Sequence, residues 1–173
     1  MEFSDLIDRR QSIRAYEKSA LDESTIEKIL QIARMAPSAG DLQSYRIVVV
    51  LSPTAKGALS DAAGQYYITQ AALVLVFFAD VERSAAKYYD RGRNLFSLQD
   101  ATIAAAYAQL AATDLGLGSC WVGTFNDEKV RRAVRAPKGL KPVAILTIGK
   151  AAEEPARPSR RRMDELMVRD RFD

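Results

Sequence analysis

Two groups of arginines stand near opposite ends of the chain, and they are the residues best suited to chemistry. Arg10, Gln11, Ser12 and Arg14 fall in the run Arg9-Arg10-Gln11-Ser12-Ile13-Arg14, and Arg157, Arg160, Arg161 and Arg162 follow towards the C-terminus. A guanidinium is a planar fork of N–H donors that matches phosphate oxygens, and a serine hydroxyl adds a short donor beside it. Arginines taken at random are mostly solvated surface. A cluster at each end of a short chain suggests instead one anionic site built from both termini.

The composition narrows the chemistry further. At 173 residues the chain reads as one domain, 1–173, with 48% apolar and 27% charged residues and a net charge of +3. That charge suits a phosphorylated small molecule; nucleic acid calls for a denser basic stripe or a basic platform interleaved with aromatics. There is no histidine. A Ser-His-Asp triad, a Cys-His pair and a His-x-x-x-His zinc site are therefore excluded, and no side chain is assigned as catalytic or as a metal ligand. Gly116-Leu117-Gly118 is followed by Trp121 where a dinucleotide fingerprint needs its last glycine. A catalyst without these groups uses carboxylates and lysines or takes its chemistry from a cofactor. The single cysteine, Cys120, rules out an internal disulfide and reads as a packing residue. Early acidic residues (Glu2, Asp5, Asp8) and an apolar run no longer than Ala71 to Ala79 predict a cytoplasmic protein without a membrane span.

The elements that must position these groups alternate between helix and strand. Phe3, Leu6 and Ile7 give an amphipathic start. Asp22 caps a helix whose apolar face is Ile26, Ile29, Leu30 and Ala33, and Pro37 ends it in a loop of small and polar residues. Ile47 to Leu51 and Leu73 to Phe78 read as buried strands, with a helix from Pro53 to Ala63 between them. A short helix covers Arg83 to Tyr89. Leu95 to Leu115 is the longest helical stretch, crowded with alanine and closed by Gly116. Its small residues suit either a central core helix or a helix packed on its copy in a second subunit. Ser119 to Val122 is a short strand, Asn126 or Asp127 caps a helix through Val134, and Val143 to Ile148 is a further buried strand. The polar, basic segment 150–173 has too few apolar residues for a core of its own. Leu166 to Phe172 is expected to add an edge strand or an arm wrapping a partner. The helix carrying Arg131 is read as exposed.

Three stretches together resemble the FMN-dependent nitroreductase family. Arg10-Gln11-Ser12-Ile13-Arg14 is similar to that family's Arg-x-Ser-x-Arg/Lys phosphate motif. Ala36-Pro37-Ser38-Ala39-Gly40-Asp41-Leu42-Gln43-Ser44-Tyr45 resembles its Ala-Pro-Ser-x-x-Asn-x-Gln-Pro-Trp loop, and Gly116 to Gly123 its Gly-x-Gly-Ser-x-Trp-x-Gly segment. They occur in the family's order and span most of the chain, from about Phe3 to Arg162.

The resemblance implies an α+β fold with a mixed sheet flanked by helices, intertwined as a homodimer with FMN at the subunit interface. It implies that Arg10, Gln11, Ser12 and Arg14 hold the phosphate and ribityl end. Pro37, Ser38, Ala39, Asp41 and Gln43 would approach the isoalloxazine from the opposite subunit. Val122 and Gly123 would bring backbone groups to the reactive edge, Gln65 would reach the ribityl or pyrimidine, and one or more of Arg160, Arg161 and Arg162 would close on the phosphate. The implied activity is oxidoreduction: NAD(P)H delivers hydride to flavin N5 and leaves, and a nitroaromatic, quinone or other electron-poor small molecule then takes its place. A specialised enzyme of the same fold (reductive dehalogenase or flavin-fragmenting oxygenase) and a non-catalytic flavin-binding protein are the alternatives. The sequence departs from the motif at Asp41 for Asn, Ser44 for Pro and Tyr45 for Trp. An ionised Asp41 near the pyrimidine would lower the flavin potential, unless an arginine such as Arg46 neutralises it. Tyr88, Tyr89, Arg91, Arg93 and Phe96 fall where they could border the mouth of such a site.

Overall fold

The computed structural model describes residues 2–172. In chain order it contains α1 (Phe3–Arg9), α2 (Glu23–Ala33), β1 (Tyr45–Val50), α3 (Pro53–Ala63), β2 (Leu73–Asp80), α4 (Val81–Arg91), α5 (Ser97–Asp114), β3 (Gly118–Val122), α6 (Asp127–Ala133), β4 (Leu140–Gly149) and α7 (Met163–Leu166). The local signals explain most of these limits. The Asp22 carboxylate accepts from the Thr25 N–H at 2.7 Å and starts α2, Pro53 opens α3, and the Asn126 side chain accepts from Lys129 N–H at 2.9 Å to start α6. Helix α2 stops at Ala33, before the expected Pro37, because Met35 and Ala36 turn their N–H groups back onto Ile32 and Ala33. A residue preceding proline is disfavoured in helical geometry. Helix α5 begins at Ser97 after a wide five-residue turn, Gly92–Phe96, that joins it to α4.

The strands form one four-stranded sheet in the order β1-β2-β4-β3, antiparallel at every pair. Its parallel component is a single bridge, Ser12 to Ser119. Central β2 is buried from Leu73 to Ala79, and successive side chains go to opposite faces. Leu73, Leu75 and Phe77 join Ala144, Leu146 and Ile148 under α2 and α5. Val74, Val76 and Phe78 join Ile145 and Val122 under Leu59 and Ala62 of α3 and Val130 of α6. The result is helix, sheet and helix in three layers. β1 is an edge strand, not a fully buried one: Val49 is 39% exposed and Leu51 just beyond it 49%. A β-branched run signals a strand but does not say whether a second neighbour pairs with it.

Ala101, Ala104, Ala105, Ala108, Ala111 and Ala112 are buried, which makes α5 a central core helix against the sheet and α2. At its end Leu117 N–H donates to Ala112 C=O at 2.9 Å and Gly116 N–H to Thr113 C=O at 3.0 Å. That closure needs the left-handed conformation of Gly116, φ 75°. The polypeptide then enters β3 at Gly118, where a side chain would fall 2.8 Å from Ile13 Cγ1. The absence of a Cβ lets the N-terminal segment lie directly on β3. The expected edge strand at Leu166 to Phe172 does not form: one helical turn, α7, is followed by exposed chain through Phe172.

This contact is testable. Gly118→Ala is expected to cost about 2 kcal/mol of stability by overpacking against Ile13. In an Ile13→Ala background, which removes Cγ1 and Cγ2 and leaves only Cβ at 3.0 Å, the same change should cost less. Urea denaturation of the four proteins measures both; equal costs would show that Ile13 is not the obstruction.

Candidate functional site

The two arginine clusters meet. Ile13 N–H donates to Ser119 C=O at 2.9 Å, Glu17 N–H to Lys150 C=O at 3.0 Å and Ala152 N–H to Ala15 C=O at 2.9 Å, so residues 12–17 are sewn to β3 and to the segment after β4. Tyr16 secures the seam from inside: its hydroxyl donates to Ile13 C=O at 2.7 Å and lies 2.7 Å from Thr147 Oγ1. Burial pushes the Tyr16 phenol well above the ordinary tyrosine range. Around this seam opens a cavity of about 640 Å³, lined by Arg10, Gln11, Ser12 and Arg14 from one end of the chain and by Pro155, Arg157, Pro158 and Arg160 from the other. Four arginines and one acid, Asp8, are among the lining residues, and the Glu153 carboxylate accepts from the Arg14 backbone N–H. Arg157 is the one that Asp8 engages, at 3.1 Å. The Gln11 Oε1 atom is buried without a hydrogen-bond partner among the described residues.

Of the run Arg160, Arg161 and Arg162, only Arg160 lines this cavity. Arg161 bonds to the Glu165 carboxylate at 3.1 Å, and Arg162 to Asp164 at 2.7 Å. Arg14 also faces Tyr67, whose hydroxyl is 3.5 Å from Cys120 Sγ. Burial and the neighbouring thiol push the Tyr67 phenol up to about 12, while Arg14 pulls it down. Gln65 opens the short turn that carries Tyr67, its own N–H donating to Ser60 C=O at 3.2 Å. Val122 is buried in the core and Gly123 is exposed just past the end of β3.

The loop 36–44 is held differently. Gly40, Asp41 and Gln43 all have positive φ (56°, 58° and 44°), a conformation that non-glycine residues adopt at a cost. What holds it is Asp100, a carboxylate only 2% exposed on the first turn of α5. Its two oxygens accept from Ala39 N–H at 2.9 Å and Ser44 N–H at 3.0 Å. Ser38 Oγ accepts from Gln43 N–H at 2.9 Å. A proline at position 44 could not donate to Asp100, so the departure from the motif here and the buried acid belong together. Asp41 accepts from the Gln43 side-chain amide, whereas Arg46 pairs with Asp80 at 3.7 Å; Arg46 does not neutralise Asp41.

Within one chain the structure does not bring these two halves together. Gly118 and Gly149 pair at one end of the sheet, beside the cavity, while Tyr45 and Ala79 pair at the other, beside the loop. Eight residues of β2 lie between the two ends, which is roughly 26 Å of strand. Pro37, Ser38, Ala39, Asp41 and Gln43 line none of the cavity. Asp100 and Asp8 escaped the sequence reading. The only available signal for Asp100 was an acid among the alanines of a core helix. Arg131 is also less exposed than the sequence suggested: its side chain is 22% exposed and pairs with Glu128 at 3.4 Å.

Two outcomes follow from this geometry. Asp100→Asn keeps the size but sets an amide donor against one of the two loop N–H groups. It is expected to cost about 2 kcal/mol, read by urea denaturation, and to speed amide hydrogen exchange at Ala39 and Ser44. Alkaline stability should fall between about pH 10 and 12, because the folded protein keeps protons on Tyr67 and Tyr16 that the unfolded chain releases. Tyr67→Phe should flatten that fall, measured as stability against pH.

Comparison with known proteins converges on one answer. The model of the nitroreductase family matches residues 7–66 and 53–150. A Thermus thermophilus protein named NADH dehydrogenase is 33% identical over 174 residues, covering 84% of this chain and 85% of that one. A crystal structure of a nitroreductase family protein from Clostridium difficile superposes with a TM-score of 0.88 at 30% identity, over 99% of this chain and 100% of that one. A second structure from that organism, described as an FMN-dependent nitroreductase, gives a TM-score of 0.77 at 27% identity, covering 96% and 98%. With its α+β architecture and its ordered motifs, this chain belongs to the nitroreductase family.

Proposed function

We propose that this protein is an FMN-dependent oxidoreductase that draws electrons from NAD(P)H and passes them to electron-poor small molecules such as nitroaromatics and quinones. The observation that carries the reading is the cavity at the chain ends, where Arg10, Arg14, Arg157 and Arg160 surround Ser12 and an unpartnered Gln11 Oε1. The FMN phosphate carries nearly two negative charges at neutral pH, and forked donors match its oxygens. Arg10, Ser12, Arg14 and Arg160 would hold that phosphate, and Gln11 would offer its amide to the chain attached to it. Arg161 and Arg162 support other contacts in this chain. Bound FMN would supply hydride and electron transfer, which is chemistry that a histidine-free chain has no side chains to perform.

The flavin-facing half of the site, residues 37–43, would come from a second copy of the chain. Two observations support this. The loop and the cavity are at opposite ends of the sheet, and Met163, Leu166, Met167, Val168 and Phe172 are all more than half exposed in one chain. A segment 150–173 that carries those apolar side chains onto a partner would cover them. On the outer side of α5, Ile103, Ala106 and Leu110 are half-covered and Thr102 is exposed, an apolar stripe that a second copy would complete. No helix among the described residues is long and apolar enough to cross a membrane, and the one cysteine is buried and unpaired. Both facts are compatible with a cytoplasmic enzyme.

Purified protein should carry a yellow chromophore that NADH or NADPH bleaches under anaerobic conditions. Arg14→Ala should weaken FMN binding at least tenfold, since a hydrogen bond to a charged group contributes about 1.5–3 kcal/mol. Arg132→Ala, at an exposed position of α6, serves as the control. Equal flavin retention by the two variants in equilibrium dialysis would remove the phosphate role from Arg14.

A further inference from the structure

Helix α4 lays a line of cations along the loop that the functional reading places against the flavin. Arg83 and Lys87 are one helical turn apart on a single face, and Arg91 follows beyond a break in the helix at Tyr89. Arg83 donates through Nε to Leu42 C=O. A methyl group on Gly40 would collide with the Tyr88 hydroxyl and sit 2.8 Å from Lys87 Nζ, so both side chains lie directly on the loop. Lys87 Nζ is 5.4 Å from the Tyr88 ring centre, Tyr88 meets Phe96 edge to face at 5.1 Å, and Arg91 lies 5.3 Å from the Phe96 ring. The series runs cation, ring, ring, cation.

Neither terminal cation is neutralised. Among the described residues, Lys87 and Arg91 have no carboxylate within 4.0 Å. Of the acids nearby, Glu82 is paired with Arg93 and Asp41 accepts from the Gln43 amide, while Asp90, exposed near the end of α4, lies within 4.0 Å of neither cation. Both cations are exposed at the surface, while the rings between them are only half-covered. Beside them Tyr89 breaks the helix with φ 50° and ψ −134° and is 80% exposed, an aromatic face presented to solvent next to the charges.

We propose that Lys87 and Arg91 recognise the carboxylate of a planar aromatic electron acceptor, whose ring is received by Tyr88 and Tyr89. The inference rests on the reading of residues 37–43 as the flavin-facing loop and adds the chemical class of acceptor: aryl carboxylates in preference to uncharged arenes. A cation already over an aromatic face keeps its remaining N–H donors free for an anion. Stacking orients the ring, and the charge discriminates.

Calorimetric titration of the FMN-loaded protein with benzoate, which has no group to reduce, and with uncharged benzamide tests the recognition directly. Wild type should bind benzoate more tightly. Lys87→Gln and Arg91→Gln, both surface substitutions, should each weaken benzoate about tenfold relative to benzamide. Lys138→Gln, an exposed lysine on the α6–β4 connection, should leave the benzoate-to-benzamide ratio alone. With NADH saturating, the ratio of kcat/KM for 4-nitrobenzoate over nitrobenzene should fall to the same degree in the two α4 variants. An unchanged ratio, no preference for benzoate in wild type, or an effect confined to the KM of the nicotinamide nucleotide would overturn the assignment. Failure to turn over either nitro compound would count against the oxidoreductase reading instead, and the benzoate titration would still decide the recognition point.

Discussion

Three backbone hydrogen bonds hold the ends of this chain together, and the candidate site depends on them. They join residues 13–17 to Ser119, Lys150 and Ala152, and a buried phenol, Tyr16, locks them from beneath. Without that seam, Arg10 and Arg14 would be separated from Arg157 and Arg160 by the whole length of the sequence. With it, four like charges are forced around a single cavity. Concentrating cations in this way is unfavourable for the empty protein, and only Asp8 offsets it within the lining. An anionic ligand removes the conflict, which is the physical reason for reading the cavity as an anion site.

The seam in turn depends on the core. β2 is buried on both faces because helices cover both sides of the sheet, and this two-sided burial fixes the register of β4 and, through it, of β3. A residue slip in β3 would move Ser119 away from Ile13. The alanines of α5 serve the same end. Small side chains bring that helix close to the sheet and let it run, roughly 27 Å long, from the loop that Asp100 holds to the turn before Gly118. One rigid helix thus sets the distance between the two halves of the candidate site. That distance exceeds what one chain can close, so the separation becomes an argument for two chains acting together.

The loop 36–44 shows how a strained segment is kept in place. Three departures into positive φ within four residues, at Gly40, Asp41 and Gln43, would not persist in a free peptide. Asp100 supplies a charged acceptor to both ends of the strained stretch, and Ser44 supplies an N–H that proline lacks. Helix α4 then covers the loop from outside with Lys87 and Tyr88. The loop is therefore gripped from the core by an anion and from the surface by a cation and a ring.

Much of this was legible in the residues themselves. Asp22, Pro53, Asn126 and Gly116 mark element ends through local hydrogen bonds and backbone preferences, and the structure has elements at each of them. The unbroken run in β2 announced burial on both sides, and members of both arginine clusters line one cavity. The same signals left other matters open. Ile47 to Leu51 reads alike whether a strand lies at the edge or the centre, and only pairing made β1 an edge. Arg160, Arg161 and Arg162 are identical in type, and only the path of the backbone turned the first into the cavity and gave the other two to Glu165 and Asp164. Asp100 looked like one acid in an alanine helix until its two N–H partners, some sixty residues earlier, arrived beside it. Local chemistry is written in neighbouring residues, so the sequence determined it; which distant groups meet is settled by packing of the whole chain, so the tertiary structure alone decided it.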